Sequence, residues 1–144
     1  MSVASTTQAH IDYELIDGWE PKVVVIGFLS PAISDPVHAH ELGEQLDSLI
    51  CSELPLNFVI DFKNADSLGS TAFGEIRAFA RRARWWGGCV RVCNLHDSLQ
   101  FGAALIGLDE HAEFAASRQS AIREARKSAN RGETDIVFYP ASWN

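Results

Sequence analysis

Three apolar runs constrain the fold of this chain more than any other feature: VVVIGF at Val23–Phe28, LNFVIDF at Leu56–Phe62 and CVRVCNL at Cys89–Leu95. The first is nearly unbroken, the pattern of a strand covered on both faces, and the second reads as buried in the same way. Segments of helical spacing separate them. SDPVHAHELGEQLDSLI opens with Asp35 as a helix cap and Pro36 at the first helical position, and Ala39, Leu42, Leu46, Leu49 and Ile50 follow at helical intervals. After Ser67, a turn of about 100° per residue places Ala72, Phe73, Ile76, Phe79, Ala80 and Ala83 within an arc of roughly 120°, one core face, which Gly87 and Gly88 terminate. Asp97 or Ser98 can cap a short helix through Leu99, Ala103 and Ile106 that Gly107 closes. AEFAA supplies a last short strand, and Ser117 caps a final helix with Ala121, Ile122, Ala125 and Ala129 on one side. Ahead of all this, IDYELI and the Val23 run read as two strands around the turn signal Asp17-Gly18, with Pro21 before the second. Strands alternating with helices from residue 22 to 130 imply parallel crossovers. The predicted fold is α/β: one domain with an open mixed sheet packed against about four helices.

A chain of 144 residues suits one core and is short for two. We place a loose polar start at residues 1–10, the domain at 11–130 and an apolar tail at 131–144. Ile136, Val137, Phe138, Tyr139 and Trp143 make that tail too apolar for a solvated end, so it packs on the domain as an added strand or strap, or on a second copy as a homodimer. No apolar run approaches the roughly 18 residues of a spanning helix, and MSVASTTQAH lacks the basic and apolar regions of a signal peptide, so a cytoplasmic location away from membranes is expected. A net charge of −7 argues against nucleic acid as a partner. Cys89 and Cys93, four apart on a strand, would lie about 13 Å from one another, too far for a disulfide. With Cys51 they read as free thiols.

No phosphate-binding loop, dinucleotide fingerprint, nucleophile elbow or kinase signature is present. His38 and His40, two apart on a helix, point in diverging directions and do not suggest a metal site; His96 and His111 sit beside loops, where solvation is the default. No cofactor, metal or catalytic residue is assigned. Asp35, Asp61 and Asp66 fall at strand ends or helix starts, the edge where open α/β sheets gather functional groups, although a plain cap explains Asp35 and a solvated turn Asp66. Ser67 stands beside Asp66, ahead of Gly69 and an apolar helix. It reads either as a helix cap or as a phosphoacceptor. A phosphoryl group there would meet unpaired amides at a helix start and add roughly 1.5 to 2 negative charges beside Asp66, enough to expel a docked partner.

An apolar strand, Asp-Ser-x-Gly at the head of an amphipathic helix, then Gly-Gly and a Val-rich strand, resembles the STAS domain of bacterial anti-sigma factor antagonists. The stretch VIDFKNADSLGSTAFGEIRAFARRARWWGGCVRVCNL carries most of the likeness, and LIGLDEHAEFAASRQSAI matches the family's closing elements. The resemblance implies a STAS-type fold over roughly residues 11 to 130. It also implies a non-enzymatic regulator phosphorylated on Ser67 by an anti-sigma factor serine kinase and restored by a cognate phosphatase; the dephosphorylated form binds the kinase and so releases a sigma factor. By position, Asp66 is the neighbour that shapes the site, Asp35 contributes to docking, and Gly69 lets the chain turn into the helix. Ser70 and Thr71, standing where the family has a second glycine, complete the partner-binding set and are the next candidates for modification. Leu68 replaces the usual Ser or Thr, a feature reminiscent of STAS proteins in stressosome-type assemblies, and the segment between Phe28 and Asp35 is longer than typical. Arg77 and Arg81 lie opposite the core arc with Arg82 and Arg84 on its flanks, a solvated face or a surface for an acidic partner. Trp85 and Trp86 read as a half-core, half-exposed pair, or as an interface where exposed. Two other readings stay open: a scaffold that is never phosphorylated, and a ligand-binding or hydrolytic domain in which a histidine would sit within reach of Ser67.

Overall fold

Strand β4, Asn57–Asp61, is buried along its whole length. Neighbours on both sides and cover on both faces produce that. In the computed structural model, which describes residues 8–16, 22–50 and 57–130, β4 lies between β2 (Val23–Phe28) and β6 (Cys89–Cys93), parallel to both. Beyond β2 the sheet ends in antiparallel β1 (Ile11–Ile16), and beyond β6 in parallel β7 (Glu113–Ala115), giving the order β1-β2-β4-β6-β7. The open mixed α/β sheet expected from the apolar runs is what forms.

Strand alternation divides the core in two. Val24, Ile26, Phe28, Phe58, Ile60, Val90 and Val92 face α1 (Pro36–Asp47) and α2 (Ser70–Trp85), which contribute Ala39, Leu42, Leu46 and the whole predicted arc from Ala72 to Ala83. Phe79 meets Phe58 edge to face with centroids 5.0 Å apart. On the other face Val23, Val25, Val59 and Cys93 meet Ala121 and Ala125 of α4 (Arg118–Asn130). Ser117 caps α4 as expected, in a reciprocal pair: Ser120 N donates to Ser117 Oγ and Ser117 N to Ser120 Oγ, each at 3.1 Å. Helix α3 (Asp97–Leu105) is capped by His96, ahead of the predicted Asp97 or Ser98, with no side-chain hydrogen bond. Gly107 follows it at φ 76°, the left-handed conformation that stops the helix, and leads into a short 3-10 turn at Leu108–Glu110.

Two strands escape periodicity altogether. β3 (Ala32–Ile33) and β5 (Ser67–Leu68) form a separate parallel bridge of two residues each, too short to show a pattern. Leu56, the turn at Asp17-Gly18, Pro21, Cys51 and the tail 131–144 lie outside the described residues.

The arginines are largely occupied within the domain. Arg82 holds Asp47 of α1 through both carboxylate oxygens at 2.9 Å, Arg84 donates to Glu110 O at 3.2 Å, and Arg77 lies 4.0 Å from Glu110 Oε1. Trp85 and Trp86, at the end of α2, are both exposed, at 64% and 47%, rather than half in the core.

Phe79→Ala removes a fully buried ring and is expected to destabilise by about 3–5 kcal/mol, whereas Phe101→Ala on the exposed side of α3 should stay within about 0.5 kcal/mol; urea denaturation of the two variants checks the contrast.

Candidate functional site

Asp61 closes β4, and the chain leaves the sheet through a tight turn in which Ala65 N donates to Phe62 O at 2.9 Å. It is then caught by a single carbonyl. Pro31 O accepts from both Asp66 N (2.7 Å) and Ser67 N (3.1 Å), and Gly69 N donates to Ile33 O (2.9 Å), so β5 lies against β3 with Ser67 opposite Ala32 and Leu68 opposite Ile33. Alternation along these two residues decides what Ser67 does: Leu68 is turned in, half-buried against the main core, and Ser67 is therefore turned out. Its hydroxyl is exposed and has no hydrogen-bond partner among the described residues.

Ser67 is not a helix cap. Gly69 holds that position for α2, and no side chain caps the helix, which leaves its first amides open where Ser70 and Thr71 stand exposed. Gly69 has φ −76° and ψ 171°, extended backbone that any residue adopts, so the expected need for a flexible turn is absent. Its glycine character answers to space instead: a Cβ would lie 3.3 Å from Ser34 O. That close approach sets the start of α2 beside the residue preceding Asp35, the cap of α1.

Asp35 Oδ1 accepts the amide of His38 at 2.9 Å while Oδ2 meets His38 Nδ1, and the amide bond is the largest cause holding its carboxyl below the ordinary carboxylate range. Behind His38 stands His10, edge to face with ring centroids 5.3 Å apart. Placed in a loose polar start by the sequence, His10 is only 1% exposed, with Nδ1 2.9 Å from Ser30 Oγ and Nε2 3.0 Å from Glu41 Oε1. Nothing in the sequence signals these partners, twenty or more residues away. His96 is the other residue that sequence reasoning missed: its Nε2 lies 3.8 Å from Asp66 Oδ1. It follows β6, the parallel neighbour of β4, so adjacency of strand ends at one sheet edge would have found it.

Asp61 separates from this group. It is buried, its Oδ1 accepts from Lys63 N and Asn94 Nδ2, both at 2.9 Å, and Arg118 stands 3.7 Å from Oδ2, a brace between two loops and the start of α4. Of the remaining histidines, His40 turns to Glu44, and burial, with Arg77 and Arg84 nearby, holds His111 below its usual range. Burial raises both described thiols, and it pushes Cys93, helped by the charge of Asp61, up to about 12.

No family model and no curated protein matches the chain. Solved structures do. An anti-sigma factor antagonist from Mycobacterium paratuberculosis is 22% identical with a TM-score of 0.64, over 81% of this chain and 94% of that one. The Bacillus cell fate determinant SpoIIAA in its phosphorylated form is 16% identical with a TM-score of 0.57, over 80% of this chain and 100% of that one. Part of the murine anion transporter Slc26a9 also matches, at 10% identity and a TM-score of 0.61, over 84% of this chain but 23% of the transporter. The chain therefore has the fold of anti-sigma factor antagonists, the STAS fold anticipated from Asp-Ser-x-Gly and its flanking elements. Its likeness to part of a transporter shows the same architecture serving another role.

The Asp35 cap makes a pH-dependent contribution whose sign is determined. Its carboxyl binds its proton less tightly folded than unfolded, so the stabilisation is full above the unfolded pKa and disappears as pH falls through the folded one. Asn still caps a helix. Asp35→Asn should therefore melt below wild type at neutral pH and converge with it in strong acid, read as thermal unfolding across the acid range.

Proposed function

We propose that this protein is a non-enzymatic, cytoplasmic regulator of the anti-sigma factor antagonist type, switched by phosphorylation of Ser67. One observation carries the reading: the Ser67 hydroxyl is exposed and has no partner among the described residues, next to Asp66 and three residues ahead of the start of a helix that no side chain caps. A kinase can reach such an oxygen. The open amides of α2 favour the product electrostatically, and the new charge of roughly −1.5 to −2 lies beside an existing carboxylate. A protein docked over Asp35, Asp66, Ser67, Gly69, Ser70 and Thr71 then meets a repulsive surface. The fold shared with SpoIIAA, a protein solved in its phosphorylated form, supports the same assignment.

The partner in this reading is an anti-sigma factor serine kinase, which the dephosphorylated chain binds, and a cognate phosphatase resets the serine. The chain itself supplies no catalysis. His96, the histidine beside the site, engages Asp66, and no base activates Ser67 among the described residues. A second reading, a scaffold that assembles without phosphate, is favoured by the exposed Trp85-Trp86 pair. In that case Trp85→Ala would dissolve an assembly that Ser67→Ala leaves intact.

Incubation with the cognate kinase and ATP, followed by intact-mass analysis, should add one phosphoryl group to the wild type and none to Ser67→Ala. Ser67→Asp should weaken kinase binding by about tenfold or more, ~1.4 kcal/mol. Label retained in the alanine variant would reject Ser67 and direct mapping to Ser70 or Thr71.

A further inference from the structure

His10 stands outside the candidate site, yet its ring connects helix α1 to the loop on which Ser67 rests. The connection begins at the helix. Gln45 Oε1 accepts the amide of His10 at 2.8 Å and Gln45 Nε2 donates to Gln8 O at 2.7 Å, which fixes the backbone of residues 8–10 along α1. Glu41, one turn earlier, meets the ring 3.0 Å from Nε2. A carboxylate only accepts, so Nε2 donates to it and Nδ1 is left to accept the hydroxyl of Ser30 at 2.9 Å. Ser30 Oγ in turn accepts from Gln8 Nε2 at 3.2 Å, and the amide of Leu29 donates to His10 O at 2.8 Å. His10 and Ser30 are both buried, so the contact between them is made away from competing water.

The residue after Ser30 is Pro31, whose carbonyl accepts the amides of both Asp66 and Ser67. The proline ring locks φ, and the peptide plane is rigid, so only two ψ angles remain soft between Ser30 Cα and that carbonyl. Whatever holds Ser30 therefore aims Pro31 O. Strand β5 pairs with β3 through two residues on each side, and the two bonds to Pro31 are a large share of what fixes its register. Register decides orientation here, since a slip of one residue would turn Ser67 away from solvent. We propose that His10 is the positioning residue of the phosphoacceptor: its ring, anchored to α1 by Glu41, holds Ser30 and so sets the Pro31 carbonyl that presents Asp66 and Ser67. The functional meaning of this link rests on Ser67 being the phosphorylated residue. The link itself does not.

Amide exchange with water, measured residue by residue by NMR on the full chain, tests the link. His10→Phe keeps a ring of similar volume and loses both nitrogens, and Ser30→Ala removes the loop's side of the contact alone. Each should speed the Asp66 and Ser67 amides by about three- to tenfold, the effect of one lost buried hydrogen bond, relative to the amides of Ala121 at the cap of α4 and Ile60 in β4. Glu41→Gln, which still offers Nε2 an acceptor, should match the wild type. Combining His10→Phe with Ser30→Ala should add nothing beyond the larger single effect, because both break one chain of contacts. An unchanged ratio in either folded variant would overturn the proposal, since His10 would then support the fold as a whole or not at all. These rates decide the role of His10 whether or not Ser67 takes up phosphate, and uptake of phosphate bears on the proposed function alone.

Discussion

The structure is organised around β4, a strand buried at every residue. Its backbone is satisfied by parallel neighbours on both sides, and its side chains alternate between two separate cores. A parallel strand needs a helix crossover on each side, so burying β4 commits the chain to α1 before it and α2 after it. Everything proposed to meet a partner then emerges from the loop that follows β4 or from a loop beside it. Even the polar residue inside the strand is accounted for: Asn57 accepts from the Cys89 thiol at 2.6 Å and donates to Ala125 O at 3.4 Å, linking β4 to β6 and to α4.

Local periodicity carried most of the fold. The six residues that an ideal helix places on one side of α2 are the six the structure buries, because the face of an amphipathic helix is set by its own spacing. Caps written into adjacent residues were equally legible, at Asp35-Pro36 and at Ser117. What failed to show depends on residues distant in the chain. The β3–β5 bridge joins segments thirty-five positions apart through two residues on each side, so neither half has a period to detect. His10 looks like part of a polar leader until Ser30 and Glu41 close around it. Asp61 resembled an edge carboxylate, yet Asn94 and Lys63 draw it inward.

The candidate site was legible as a set of residue types but not as a geometry. Asp66 and Ser67 stood out because an acid and a hydroxyl preceded an apolar helix. A cap was an equally good account of the hydroxyl, and only the bridge removes that account by moving the cap to Gly69. Leu68, an oddity beside its resemblance to other sequences, becomes physically informative in place. One apolar side chain anchored in the core turns its neighbour outward, so the residue least like the motif is the one that presents the serine.

The two faces of the sheet are not equally held. The core on the α1–α2 face holds five buried phenylalanines and a row of branched side chains, whereas among the described side chains α4 offers its face two fully buried alanines and a half-buried Ile122. Burial free energy follows apolar area, so the described contact made by α4 is the weaker of the two. Resistance to local opening is accordingly uneven: α4 is more easily lifted than α1 or α2, and its departure would bare Val23, Val25 and Val59 while the serine's own scaffold stayed intact.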